Sequence, residues 1–389
     1  MFTRNFQLIL IINIILGAAM PMLILLGVLG GSALSPVAYA ATLPPSVQML
    51  AGVLMATPTS LFMGRVGRKK GFALAAALLV LGGVLGVVAM LQQQFILLCL
   101  AHFVLGGAFV GINFLRFAAA ETVPDRWKPN AISYVMASGL VAAFIGPEVF
   151  SITKDLMPSG AYVGAYAAIA GLGCIGFLPI LAFRGLSPVS EGSGAASLRL
   201  ALGVFSRPKI AIAASGAAVS QAVMVLLMTP TALAMVGCGF AEGQAADVIK
   251  WHVIAMFAPG FFTGALIQRF GVMPIITIGL AALGCSALSA MAGLELLHFY
   301  VSLILTGVGW NFGFTGSTYL LQSALSAQEK PLVQGANDTL LAVVSSVASL
   351  ISGGLYFGIG WAATAASVLP VIALAMGFIA LRYRTVVAP

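Results

Sequence analysis

Apolar residues run along this chain in long blocks, broken by short stretches that hold nearly all of its charge. Most blocks reach the ~20 residues that a helix needs to cross a ~30 Å hydrocarbon layer. In order they predict twelve helices, over about 7–31, 40–63, 71–91, 95–117, 130–152, 160–183, 209–236, 245–267, 271–293, 297–321, 333–357 and 360–382. A β-barrel would need alternating segments of about ten residues, and none are visible. Backbone amides in lipid must be bonded within their own segment, so the blocks are read as helices. The start carries Arg4 as a signal peptide would, but the apolar run from Leu8 to Gly31 is too long for a signal core and reads as the first span.

Composition agrees with the pattern. Hydrophobic residues make up 61% of 389 positions and charged residues 7%, with a mean hydropathy of +1.09. A soluble domain needs about a quarter of its residues charged to cover its surface. With the N-terminus placed in the cytoplasm, sixteen of the eighteen Lys and Arg residues fall inside, and only Lys154 and Lys250 fall outside. Both termini are then cytoplasmic, which requires an even number of spans. The net charge of +8 is this asymmetry. It calls for no nucleic-acid partner and at most favours anionic lipid headgroups. The four cysteines, Cys99, Cys174, Cys238 and Cys285, form no CxxC and no disulfide framework is expected.

The longest polar connection, 185–207, separates six predicted helices from six more and sets the expected domains: a bundle over 1–184, a cytoplasmic linker, and a second bundle over 208–389. The halves echo one another. Arg65-Val-Gly67 after helix 2 recurs 204 residues later as Arg269-Phe-Gly271, and Arg126 recurs at the same offset as Lys330. A duplicated six-helix unit is the arrangement that supports alternating access around a midplane site.

Ser60-Leu-Phe-Met-Gly64-Arg65-Val-Gly67-Arg68-Lys69-Lys70 resembles the loop signature of the major facilitator superfamily, G-x-x-x-D-R-x-G-R-R/K-R/K. The basic half is intact, Ser60 stands for the leading Gly, and Gly64 stands for the Asp. Gly264-Ala-Leu-Ile-Gln268-Arg269-Phe-Gly271 keeps the spacing with Gln at the acidic position, and Ala120-Glu121-Thr-Val-Pro124-Asp125-Arg126 is similar to the superfamily's loop after helix 4. The resemblance implies an all-α transporter of two pseudo-symmetric bundles. It also implies a cytoplasmic gate built from Arg65, Gly67, Arg68, Glu121, Arg126 and Arg269. Glu121 paired to the basic loop would latch that side; the alternative is a solvated loop held by topology. The superfold alone does not name a cargo.

Charges inside a membrane are functional candidates by default. Glu148, after Gly146-Pro147, and Asp338 are candidates for coupling to protons; Gly146-Pro147 is similar to proton-coupled drug antiporters, without their following Gly-Gly. Glu148 is expected near the hydrated outer end of its helix, Asp338 near the inner end of its own. Richer chemistry lies in Met224-x-x-x-Met228 and His252-x-x-x-Met256. An i,i+4 pair shares one helix face. At 1.5 Å per residue from Lys209 and Arg269, Met224 stands ~22 Å up, Met228 ~28 Å, His252 ~25 Å and Met256 ~20 Å. If the faces meet, four thioether and imidazole donors surround one point. Such neutral, soft ligands favour Cu(I), whereas hard divalent ions call for carboxylates; Met pairs on apolar helices also serve as core filler.

Those two motifs, with Gly309-Trp310-Asn311-Phe312 and Gln334-Gly335-Ala336-Asn337-Asp338, resemble the CcoA-type bacterial copper importers, a branch of the same superfamily. The resemblance implies copper uptake across the cytoplasmic membrane for haem–copper oxidase assembly, with Met224 and His252 as primary ligands and Met228 and Met256 in support. Met20, Met22 and Met49, and Met235 with Cys238, are candidate accessory donors, or filler. His102 and His298 read as packing or loop residues. The chain is expected to act as a monomer, with copper as cargo and no cofactor. An enzyme is not expected, since no nucleophile–base pair, phosphate loop or hydrolytic metal motif appears. A proton-coupled exporter of drugs or small metabolites stays open as the alternative.

Overall fold

The computed structural model describes residues 3–124, 128–158, 160–184, 203–326 and 329–387. Fifteen α-helices are resolved among them: α1 Arg4–Gly17, α2 Ala19–Leu34, α3 Leu43–Val66, α4 Arg68–Leu91, α5 Phe95–Asn113, α6 Leu115–Glu121, α7 Lys128–Thr153, α8 Val163–Ala182, α9 Pro208–Gly237, α10 Glu242–Phe257, α11 Gly260–Phe270, α12 Val272–Ala292, α13 Leu296–Ser323, α14 Lys330–Ala366 and α15 Val368–Val387. A short 3₁₀ turn, Ala38–Thr42, leads into α3. The protein is an all-helical, multi-pass membrane protein, and every span expected from the sequence falls on helix. By length and apolarity alone eight spans qualify among the described residues, or nine if α10 and α11 count as one span bent by 41°.

The departures from straight helices have local causes. Pro21 cannot donate to the carbonyl four residues back, and the chain breaks there, between α1 and α2. Pro259 stands in the break between α10 and α11. In α14, Gly360 takes φ 80° and ψ 173°, which kinks the helix where the sequence places the boundary between the last two spans.

Contacts gather into two compact units. The first is Met1–Glu191 with Phe240–Val253, and the second is Gly192–Gly239 with Ile254–Pro389. Most of the expected linker, residues 185–202, lies outside the described residues. In the first unit α4 packs on α5 and α8, α3 on α5, and α1 on α7 and α8. Its core is filled by Phe6, Phe72, Phe150 and Tyr166, each at most 1% exposed. In the second, α12 packs on α13, and α9 packs on α13 and α14. Large apolar side chains also cover the outside, among them Ile96 at 84% and Leu381 at 81% exposed. Water would not tolerate that surface; lipid does.

The internal repeat is written in the backbone. Gly67 joins α3 to α4 at φ 90°, ψ 158°, and Gly271 joins α11 to α12 at φ 87°, ψ 160°. In each case the glycine N–H closes the preceding helix on the carbonyl four residues back, Met63 at 3.0 Å and Ile267 at 2.9 Å. The offset of 204 residues is thus a repeated turn as well as a repeated triplet.

Candidate functional site

The four soft donors are withdrawn into protein. Met224 and Met228, both on α9, are 5% and 6% exposed, Met256 is 7% exposed, and His252 is completely buried. On α10 the neighbour of His252 faces the other way, with Trp251 43% exposed. Met224, Met228 and Met256 belong to the second unit, and His252 is the penultimate residue of the segment that belongs to the first.

Met256 is held by its backbone. Its carbonyl accepts a 2.7 Å hydrogen bond from Asn311 Nδ2 on α13, and Asn311 Oδ1 accepts 2.7 Å away from Thr263 Oγ1 on α11. One turn before Met224, Gln221 accepts from the Trp310 indole N–H at 2.8 Å and donates to Ser345 Oγ on α14 at 2.9 Å. Trp310 stacks on Phe314 (centroids 4.8 Å apart, 15° between planes), and Phe257 meets it edge-on at 6.3 Å. In the α13 segment Gly309–Phe312, Gly309 lies close against α12, and Trp310 and Asn311 bond to other helices. Nothing in linear sequence links Gln221 to Trp310 or Met256 to Asn311, and sequence reasoning did not find these bonds.

The accessory donors differ widely in exposure. Met20 is 50% exposed while Met22 is fully buried, as expected for residues two apart on a helix, which point to opposite sides. Met49 is half-buried, Met235 is fully buried, and Cys238 is an exposed free thiol. His102, read as packing, is wholly buried in α5 and joins three helices: its Nδ1 donates to Gln48 Oε1 of α3, and its Nε2 accepts from Tyr166 OH of α8, both at 2.8 Å. Asp338 is exposed.

At the basic-loop end, Arg68 donates to the Glu121 carboxylate from Nη2 at 2.7 Å and from Nε at 3.3 Å. Arg65 and Arg269 are exposed, the latter with its guanidinium 5.2 Å from the Phe270 ring centroid. Arg126 lies outside the described residues. A cavity of about 450 Å³ at this end is lined by Thr3, Arg4, Asn5, Glu121, Thr122 and Arg184. None of the soft donors is among them.

At the opposite end the two outlying lysines anchor α10. Lys250 contacts Glu148 of α7 at 2.9 Å and also pairs with Asp247 at 2.5 Å; Lys154, just after α7, reaches Glu242 at 3.2 Å and pairs with Asp155. Tyr162, before α8, donates to the same Glu242. These bonds explain why Phe240–Val253 groups with the first unit. Burial lowers the Lys154 ammonium pKa, but the bonds to Asp155 and Glu242 outweigh it and leave the pKa raised. For a lysine so raised, the stabilisation is complete below its ordinary pKa and is lost only as pH climbs through the higher folded value. The clamp is therefore intact at neutral pH. Partly exposed ion pairs contribute about 0–1 kcal/mol. Glu242→Gln is accordingly expected to raise amide hydrogen exchange over 242–253 by up to about fivefold; unchanged exchange would show that the clamp holds nothing.

Comparison with known proteins decides the family. The Major Facilitator Superfamily profile matches residues 6–349. The chain belongs to the major facilitator superfamily. One relative, the riboflavin transporter RfnT of Brucella anthropi, is 33% identical over 382 residues, covering 98% of this chain and 96% of its own. The uncharacterized superfamily transporter YdeG of Bacillus subtilis is 26% identical, covering 77% of this chain and 74% of its own. Among solved structures, the nucleoside transporter NupG superposes with TM-score 0.73 at 14% identity over 97% of this chain and 99% of its own. A bacterial homologue of the iron transporter ferroportin, outward-facing, gives 0.66 at 15% identity over 98% and 100%. These likenesses carry the superfamily fold. Superfamily membership makes the chain a transporter.

Proposed function

We propose that this transporter imports copper, as Cu(I), across the bacterial cytoplasmic membrane by alternating access, with both termini inside, as a monomer, supplying haem–copper oxidase assembly. The observation that supports the reading is that all four soft donors turn away from lipid, three thioethers at 5–7% exposure and an imidazole at 0%, the condition without which they could not share a site. Neutral sulfur and nitrogen ligands suit a soft monovalent ion.

A second reading has its own support. The relative RfnT is named for riboflavin, and the stacked Trp310–Phe314 pair, fixed by Gln221, offers a flat aromatic ligand a matching surface. The drug-exporter alternative rests on Glu148, whose side chain is 61% exposed and paired with Lys250; it requires Glu148→Gln to stop transport while the Met/His changes do not.

Uptake of radioactive copper and of riboflavin, measured side by side in the same cells, separates the readings. Met224→Ala with His252→Ala is expected to abolish copper uptake at unchanged membrane abundance. Copper uptake that survives the double change removes the copper reading, and riboflavin uptake sensitive to Trp310→Ala would replace it.

A further inference from the structure

The break between α10 and α11 is bridged by one side chain from another helix. Pro259 lacks an N–H, so the helical ladder cannot run through it. The α11 side restarts on Pro259 itself, whose carbonyl accepts from Phe262 N and Thr263 N, each at 2.9 Å. In an unbroken helix the Met256 carbonyl would take the N–H of residue 260. Here it takes Asn311 Nδ2 at 2.7 Å, while the oxygen of the same carboxamide takes the Thr263 hydroxyl at 2.7 Å. Asn311 is 4% exposed and Thr263 is fully buried. The carboxamide thus grips the last turn of α10 with its donor and the first turn of α11 with its acceptor. The grip is braced from the next residue, because Trp310 is tied to Gln221 and meets Phe257, the residue after Met256, edge-on.

We propose that Asn311 is a positioning residue for transport: by fixing the backbone at Met256 it sets where the Met256 thioether stands. The inference rests on the copper reading, in which Met256 supports the metal. Asn commonly bonds between helices in membranes; what sets Asn311 apart is that the two ends of its carboxamide meet the two sides of a proline break, Met256 O and Thr263 Oγ1. What the amide adds is a defined backbone position beside a soft donor, the task that residues behind metal ligands perform elsewhere.

The test is a double-mutant cycle on copper uptake. Asn311→Leu keeps the size and removes both bonds, and Met256→Leu keeps the size and removes the sulfur. Asn311→Leu alone is expected to raise the KM for copper about tenfold, with Vmax and membrane abundance unchanged. In the Met256→Leu background it should add nothing, because the group it positions is gone. A merely structural role would instead lower abundance and Vmax in both backgrounds, and that result, or an unaltered KM, overturns the inference. Should Asn311→Leu fail to accumulate, Thr263→Val removes the anchor of the carboxamide with little change in shape. It must show the same dependence on Met256 or the inference falls. Copper uptake indifferent to Met224→Ala with His252→Ala overturns the copper reading and this inference together; uptake that depends on Met224 and His252 but ignores Asn311 overturns this inference alone.

Discussion

Gly279→Val is expected to prevent the protein from accumulating as a monodisperse species in detergent, while Gly284→Ala, five positions along the same helix, leaves it unaffected. A Cβ at Gly279 would stand 2.3 Å from Gly313 N, 2.8 Å from Gly309 O and 2.9 Å from Gly313 Cα. All three are backbone atoms, so no rotamer change relieves the clash. Helices α12 and α13 would have to part, and in lipid close backbone approach is itself what holds helices together. The strain would spread, because the other side of α13 is equally tight. A Cβ at Gly313 would lie 2.1 Å from Ser220 Oγ, and one at Gly216 of α9 would lie 2.4 Å from Ser317 Oγ. Overpacking typically costs about 1–3 kcal/mol, and more where backbone must move. At Gly284 a Cβ meets nothing within 4 Å. Size-exclusion profiles and thermal unfolding of the two variants are the measurement; a well-behaved Gly279→Val protein would show that the α12–α13 crossing is looser than its geometry.

The second large effect is expected at the repeated turn. Gly67→Ala and Gly271→Ala should each lower the unfolding midpoint, by similar amounts and additively. Both glycines occupy a region near φ 90°, ψ 160° that side chains avoid. Residues forced there cost on the order of 1–3 kcal/mol. At Gly271 the nearest atom to an added Cβ is Pro274 Cδ at 3.8 Å, so the cost there is backbone strain rather than crowding. The two positions lie in different units and share no partners, the condition under which effects add. An unchanged midpoint in either variant would mean that the turn relaxes to another conformation without loss.

Much of the fold was legible because lipid imposes one rule on every span. Each apolar block had to be helix, and Gly360 falls where the pattern placed the last boundary. The Arg-x-Gly repeat was legible as letters, and its glycines proved to share one conformation. The break at Pro259 was missed, because a proline in an apolar block reads equally well as a kink or as part of a straight span. The grouping of Phe240–Val253 with the first unit was also hidden. It depends on Glu242 meeting Lys154 and Tyr162 and on Lys250 meeting Glu148, groups that lie up to about a hundred positions earlier. The soft donors were visible at helical spacing, and their burial follows from the faces they share. Asn311 stood in a segment the sequence singled out, but its partners, like those of Gln221, are fixed by packing between helices far apart in the chain. His102 shows the same limit: a lone histidine carries no sign that Gln48 and Tyr166 will close on it. Cargo was least legible, because relatives of this fold with different substrates keep the same scaffold.

Helix α9, Pro208–Gly237, contains 30 residues, about 45 Å of rise against a hydrocarbon thickness of ~30 Å. The surplus is absorbed by inclination or by local thickening of the bilayer, at fractions of a kcal/mol for each ångström of mismatch. Acyl-chain length is therefore a variable in any reconstitution of this protein, since short chains demand a more inclined helix and long chains let it stand upright.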